Sequence, residues 1–213
     1  MGRNLTTITP AVSDDVLVLT YEDKVTAFNA LTGSIRWTST LYSKQFTNVT
    51  ILNKVAYVSG GGVARAYDLL TGKVLWERGG LGYIMISAAV DDRNLYFRSS
   101  PDEFPGVYEH ITALNIKTGE QVWQTKLPAR HIFHNDPIVA DGILYHVNYM
   151  LDGIYQIDTY TGEVIDEVRG HYIFHISSHC GSTVPATMVL STEISNKNSG
   201  FMDERINYSL AIY

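Results

Sequence analysis

Residues 66–76 read Ala-Tyr-Asp-Leu-Leu-Thr-Gly-Lys-Val-Leu-Trp, and this stretch decides the fold because the chain repeats it. Residues 27–37 are AFNALTGSIRW and residues 113–123 are ALNIKTGEQVW, with the Thr-Gly pair in register each time. A fourth, weaker copy covers residues 156–166. The pairs begin at Thr32, Thr71, Thr118 and Thr161, with spacings of 39, 47 and 43 residues. Such a period is the length of one four-stranded propeller blade.

Working outward from the glycines Gly33, Gly72, Gly119 and Gly162, the neighbours repeat too. Four residues before them stand Asn29, Asp68, Asn115 and Asp158. Six before them stand Ala27, Ala66 and Ala113, with Gln156 breaking the series. Four after the first three stand Trp37, Trp76 and Trp123, which are all the tryptophans of the chain, and the fourth copy has Asp166 there. Each element has a physical task. The Asn or Asp side chain opens a turn by accepting hydrogen bonds from backbone N–H groups ahead of it. The glycine takes a positive φ that a side chain disfavours. The Trp supplies a large apolar surface to wedge against the next blade.

Upstream of each copy lies a second pattern, an Asp or Asn turn followed by a short β run. Asp14-Asp15 precedes VLVLT, Asn53 precedes VAYVS, Asp91-Asp92 precedes NLYFR, and Asp141-Gly142 precedes ILYHV. Turns and β runs at this spacing, without an amphipathic helix, predict an all-β protein: a β-propeller of four-stranded antiparallel blades. The repeats fall at residues 10–46, 47–85, 86–133 and 134–181, with a partial one at 182–213, all in a single domain over residues 1–213. About five blades are expected at this period. Two closures compete: Arg3–Ile8 supplies a missing outer strand to a five-bladed ring, or the chain is a fragment of a seven- or eight-bladed propeller. In the second repeat the strands are expected near Val49–Leu52, Val55–Ser59, Val63–Leu69 and Val74–Arg78.

The three Trp-ending stretches resemble the tryptophan-docking repeat of PQQ-type quinoprotein alcohol dehydrogenases. The same repeat is found in non-enzymatic propellers, including the bacterial outer-membrane assembly lipoprotein. The resemblance runs from about Pro10 to Glu167 and is specific for repeat type, not for activity. It implies a periplasmic, extracellular or lumenal setting, whereas Met1–Pro10 is polar and has no secretory signal character. The dehydrogenases resemble one another in an adjacent cysteine pair, a bound calcium and an Asp base. Here Cys180 stands alone and no Asp occupies a matching context. The expectation is therefore a non-catalytic module that binds a protein or small ligand on its loop face. No cofactor is expected. The alternative is a fragment of a PQQ-dependent alcohol or sugar dehydrogenase, which would need PQQ and calcium.

The remaining composition agrees. Fourteen tyrosines and recurrent Val, Ile and Thr suit strands. A net charge of −6 without a Lys/Arg-rich run argues against a nucleic-acid partner. No stretch has the roughly 20 apolar residues of a transmembrane helix.

In a propeller, the connections between second and third strands share one face with the connections between blades. The third repeat carries extra length there, at Ser99–His110. Six of the seven histidines are expected in connections on that face: His110, His131, His134, His171, His175 and His179, with only His146 in a strand. Ile-Phe-His recurs at 132–134 and 173–175, so His134 and His175 are repeat equivalents. With His131 and His179 nearby, they form a candidate site for zinc, copper or a similar metal, a second alternative function.

Overall fold

The structure is a computed structural model and describes residues 10–21, 23–41, 49–84, 88–100, 108–128, 136–148, 153–169, 172–175 and 191–194. All regular elements among them are strands. The first blade contains β1 (Ala11–Ser13), β2 (Val16–Tyr21), β3 (Lys24–Asn29) and β4 (Ile35–Thr40). The second contains β5 (Thr50–Leu52), β6 (Val55–Gly60), β7 (Val63–Asp68) and β8 (Val74–Arg78), close to the ranges expected from sequence. A two-residue strand, β9 (Tyr83–Ile84), precedes the third blade, which contains β10 (Ala89–Val90), β11 (Asn94–Ser100), β12 (Tyr108–Asn115) and β13 (Gln121–Pro128). The fourth contains β14 (Ile138–Ala140), β15 (Ile143–Asn148), β16 (Gly153–Asp158) and β17 (Val164–Arg169).

Within each blade the strands pair in sequence order and antiparallel, and β9 adds to the far end of β11. The first strands of successive blades lie side by side, β1 by β5, β5 by β10 and β10 by β14. They therefore form the inner side, and the Trp-bearing fourth strands the outer side. A further pair, β18 (Tyr172–His175) with β19 (Ser191–Ile194), follows the fourth blade. Of the partial repeat at 182–213, the structure describes only β19, and Arg3–Ile8 lies outside the described residues.

The turns follow from their residues. Asp14, Asn53 and Asp141 hold positive φ where the first strand folds back on the second. In the turns before the fourth strands, Asn29, Asp68, Asn115 and Asp158 each accept backbone N–H bonds from the residues two or three ahead, or both. The glycine N–H then bonds the carbonyl of the same Asn or Asp. Residues 59–67, SGGGVARAY, form a hairpin: Gly61 and Gly62 turn with φ of 56° and 82° between β6 and β7. Both positive angles match the right-handed twist of the flanking strands.

Three apolar clusters form the core, one in each seam between adjacent blades. Alternation sends Leu95 and Phe97 of β11 toward the second blade and Tyr96 toward the fourth. Fully burying a side chain such as Phe97 contributes about 1.5–3 kcal/mol.

Candidate functional site

The loop-face end of the seam between the third and fourth blades holds a buried ionic cluster. Arg98 near the end of β11 pairs with Glu109 near the start of β12, and Glu109 Oε1 lies 2.6 Å from His146 Nε2 on β15. The register explains the meeting. Arg98 lies opposite Ile111, so Glu109 is its diagonal neighbour on the same face of the sheet. His146 projects from the fourth blade into that face. All three side chains are at least 94% buried, with exposures of 6%, 4% and 2% for Arg98, Glu109 and His146.

Burial alone raises the Glu109 carboxyl. The hydrogen bond and charge of His146 and the Arg98 guanidinium outweigh it, holding the group below the usual carboxylate range. Both carboxylate oxygens are thereby engaged. The cluster ties β11, β12 and β15 together just beneath the connection of residues 101–107. Among the described residues, His146 Nδ1 and Ser100 Oγ have no hydrogen-bond partner.

A second polar lock closes the opposite end of the same seam. The Thr159 carbonyl accepts from Asn94 Nδ2 at 3.4 Å and from Trp123 Nε1 at 3.0 Å. Arg93 reaches the Thr159 hydroxyl at 2.9 Å and stands over the Tyr160 ring. Tyr96 donates to Asp91, and burial together with that carboxylate raises its hydroxyl far above the usual phenol range.

Of the candidate metal ligands, only His175 falls among the described residues. His131, His134 and His179 lie outside the described residues. His175 is the last residue of β18, opposite Ser191, not a connection residue. His110 also sits in a strand, opposite Ser99 on β11, because β11 and β12 run longer than expected and shorten the connection to residues 101–107. It packs against Tyr108, and partial burial with Lys126 nearby lowers its pKa. Among the described residues, no three His, Cys, Asp or Glu side chains are grouped to hold a metal ion. Glu109, bound on both oxygens, does not fit as a calcium ligand, and the lone Cys180 does not fit the paired-cysteine arrangement of the dehydrogenases.

His146, set aside in sequence as a strand residue, is the one the structure places at the centre. A signal existed. Its repeat equivalents, three residues after the position opposite each Asn or Asp, are Leu19, Val58 and Phe97, all apolar. A histidine at a position apolar in every other copy implies a polar partner across the seam.

The structural residues of the repeat occupy one geometry three times. Trp37, Trp76 and Trp123 each cross to the next blade and donate from Nε1 to the carbonyls of Leu69, Ile116 and Thr159, at 2.9, 2.7 and 3.0 Å. Each indole lies so close to Gly72, Gly119 or Gly162 that an added Cβ would stand 2.5–2.7 Å from the ring. Those glycines are required for the close approach as well as for φ.

Four-stranded antiparallel sheets set around their first strands define part of a β-propeller built from PQQ-type repeats. The family model for outer membrane protein assembly factor BamB matches residues 1–132 and again 62–171, and the chain belongs to that family. A quinohemoprotein alcohol dehydrogenase from Pseudomonas putida has a TM-score of 0.64 at 18% identity, over 87% of this chain and 38% of that one. BamB from Moraxella catarrhalis has a TM-score of 0.55 at 18% identity, over 86% of this chain and 61% of that one. A tetrathionate hydrolase of Acidianus ambivalens is 30% identical over 120 residues, which is 52% of this chain and 22% of that protein. The chain thus spans less than two thirds of each of these relatives.

Proposed function

We propose that this chain is a non-catalytic binding module of the outer-membrane protein assembly kind, engaging a protein partner through its loop face in the cell envelope. The observation that carries the reading is the buried Arg98–Glu109–His146 cluster beneath the 101–107 connection. A cluster whose charges satisfy one another fixes the ends of β11 and β12 that flank residues 101–107, and a contact segment whose ends are already fixed has less conformational entropy to lose on docking. The segment it supports, PDEFPGV, has two acidic residues and two prolines, a composition suited to a stiff, charged contact. Membership of the assembly-factor family points the same way. This reading requires neither PQQ nor calcium.

The test is crosslinking of the tagged chain in cell envelopes, followed by mass spectrometry. Replacing residues 101–107 with a Gly-Ser linker is expected to remove the crosslinked partner while leaving the melting temperature unchanged. An unchanged crosslink pattern would sink the loop-face assignment. Dye reduction on addition of PQQ and calcium would establish the dehydrogenase reading instead. Consumption of tetrathionate by the purified chain would establish a hydrolase, the activity named for the relative matched over 120 residues.

A further inference from the structure

Two buried polar atoms remain at the loop-face end of the seam between the third and fourth blades once the ionic cluster is satisfied. Ser100, the last residue of β11, is 6% exposed, and His146 on β15 is 2% exposed. Neither Ser100 Oγ nor His146 Nδ1 has a hydrogen-bond partner among the described residues. Buried polar side-chain atoms are otherwise paired in the large majority of cases. The two residues come from different blades, yet both border Glu109. His146 Nε2 contacts its Oε1. Ser100 lies one step beyond the Ser99–His110 pair, which sets it across from Glu109 on the same face of the sheet.

The third blade is built to bury that position. A serine at a strand end is ordinarily solvated. Here β9 adds to the edge of β11 and sets Tyr83 opposite Ser100. On the other side of the sheet path, Leu127 of β13 stands opposite Glu109 and is buried. The second blade has Gly61 at the position equivalent to Ser100, in its hairpin turn, with no side chain to satisfy.

The chemistry of the two atoms selects an occupant. The Glu109 carboxylate accepts, so His146 Nε2 donates to it, and in the neutral ring Nδ1 is then a bare acceptor. The Ser100 hydroxyl can both donate and accept. The bound group must therefore donate to Nδ1 and bond the hydroxyl in either sense. A cation would meet the Arg98 guanidinium with Glu109 already engaged, and an anion would face the Nδ1 lone pair. With both residues this closed to solvent, a large ligand has no way in. We infer that Ser100 and His146 together bind one water molecule, which donates to Nδ1 and is bonded by the Ser100 hydroxyl. The water extends the Arg98–Glu109–His146 cluster to Ser100 and adds a second polar link between the two blades at this end of the seam. It also holds the imidazole from both of its nitrogens, in one tautomer, whatever the loop face binds.

The test is a crystal structure of the full chain, joined to long-range 1H–15N NMR of the His146 ring. A water oxygen is expected within hydrogen-bond distance of both Ser100 Oγ and His146 Nδ1. In solution, Nδ1 is expected to show the 15N shift of an unprotonated nitrogen that accepts a hydrogen bond. Ser100→Ala should move that shift toward the value of a bare lone pair, and Ser100→Thr, which keeps the hydroxyl, should not. An Nδ1 that carries a proton at neutral pH, a shift unmoved by Ser100→Ala, or ordered waters in the seam with none bridging these two atoms would overturn the inference. If Ser100→Ala fails to fold, the wild-type crystal structure and the wild-type Nδ1 shift decide it.

Discussion

The seam between the second and third blades and the seam between the third and fourth solve the same packing problem with different chemistry. The first is mainly apolar: Tyr57, Ala64, Ala66 and Trp76 meet Leu95, Phe97 and Leu114, with the Trp76 indole N–H bonding the Ile116 carbonyl. The second keeps an apolar middle of Tyr96, Ile111, Ala113 and Leu144 but carries a polar lock at each end. Apolar contact is tolerant of small shifts, because it scales with area and has no direction. Hydrogen-bonded ions in a dry seam permit one geometry and are costly when any member is missing. Two neighbouring seams thus divide the work: one is held mainly by bulk, the other is fixed in register by its polar ends.

The largest expected effect breaks the apolar seam. Trp76→Ala should destabilise the fold by roughly 3–5 kcal/mol, read from urea midpoints, through lost packing against Gly119 and Ile116. A variant that unfolds like wild type would show that the indole is not what joins these blades. Glu109→Gln comes next, at about 2–3 kcal/mol, because Arg98 stays buried with only an amide oxygen to accept its N–H groups. A loss below about 0.5 kcal/mol, the range of ordinary surface changes, would mean that the cluster is not a lock.

Acid sharpens the same contrast. The Glu109 carboxyl lies below its unfolded value, so its contribution is fully present above about pH 4.3 and is lost as pH falls through the folded value. Stability measured by urea at stepwise lower pH should show this component in wild type and lack it in Glu109→Gln; identical acid profiles would refute it. The smallest effect is His146→Phe, which gives the fourth blade the residue found at position 97 of the third. Arg98 and Glu109 remain paired, so the change should stay within about 1.5 kcal/mol in either direction. A much larger loss would place the strength of the lock in the imidazole and not in the Arg–Glu pair.

Much of this was legible in the residues. The Asx–Thr-Gly–Trp register located the turns and the second-repeat strands to within about a residue, because local turn chemistry depends on neighbours a few positions away. Two histidines, His110 and His175, were placed in connections for a related reason. Ile-Phe-His repeats drew attention to connections, but His110 and His175 lie in strands whose ends depend on cross-strand pairing.

The sequence by itself determined the period, the turn geometry and the alternation that makes every blade two-faced, since each is a contact between residues near one another along the chain. Only the tertiary structure decided which seam-facing residues meet. Arg98, Glu109 and His146 are 11 and 37 residues apart in successive steps, and no local rule joins them. The same holds for Gly33: its turn matches the other three, and only the packing of whole blades distinguishes the glycines under an indole from Gly33, which among the described residues has none over it.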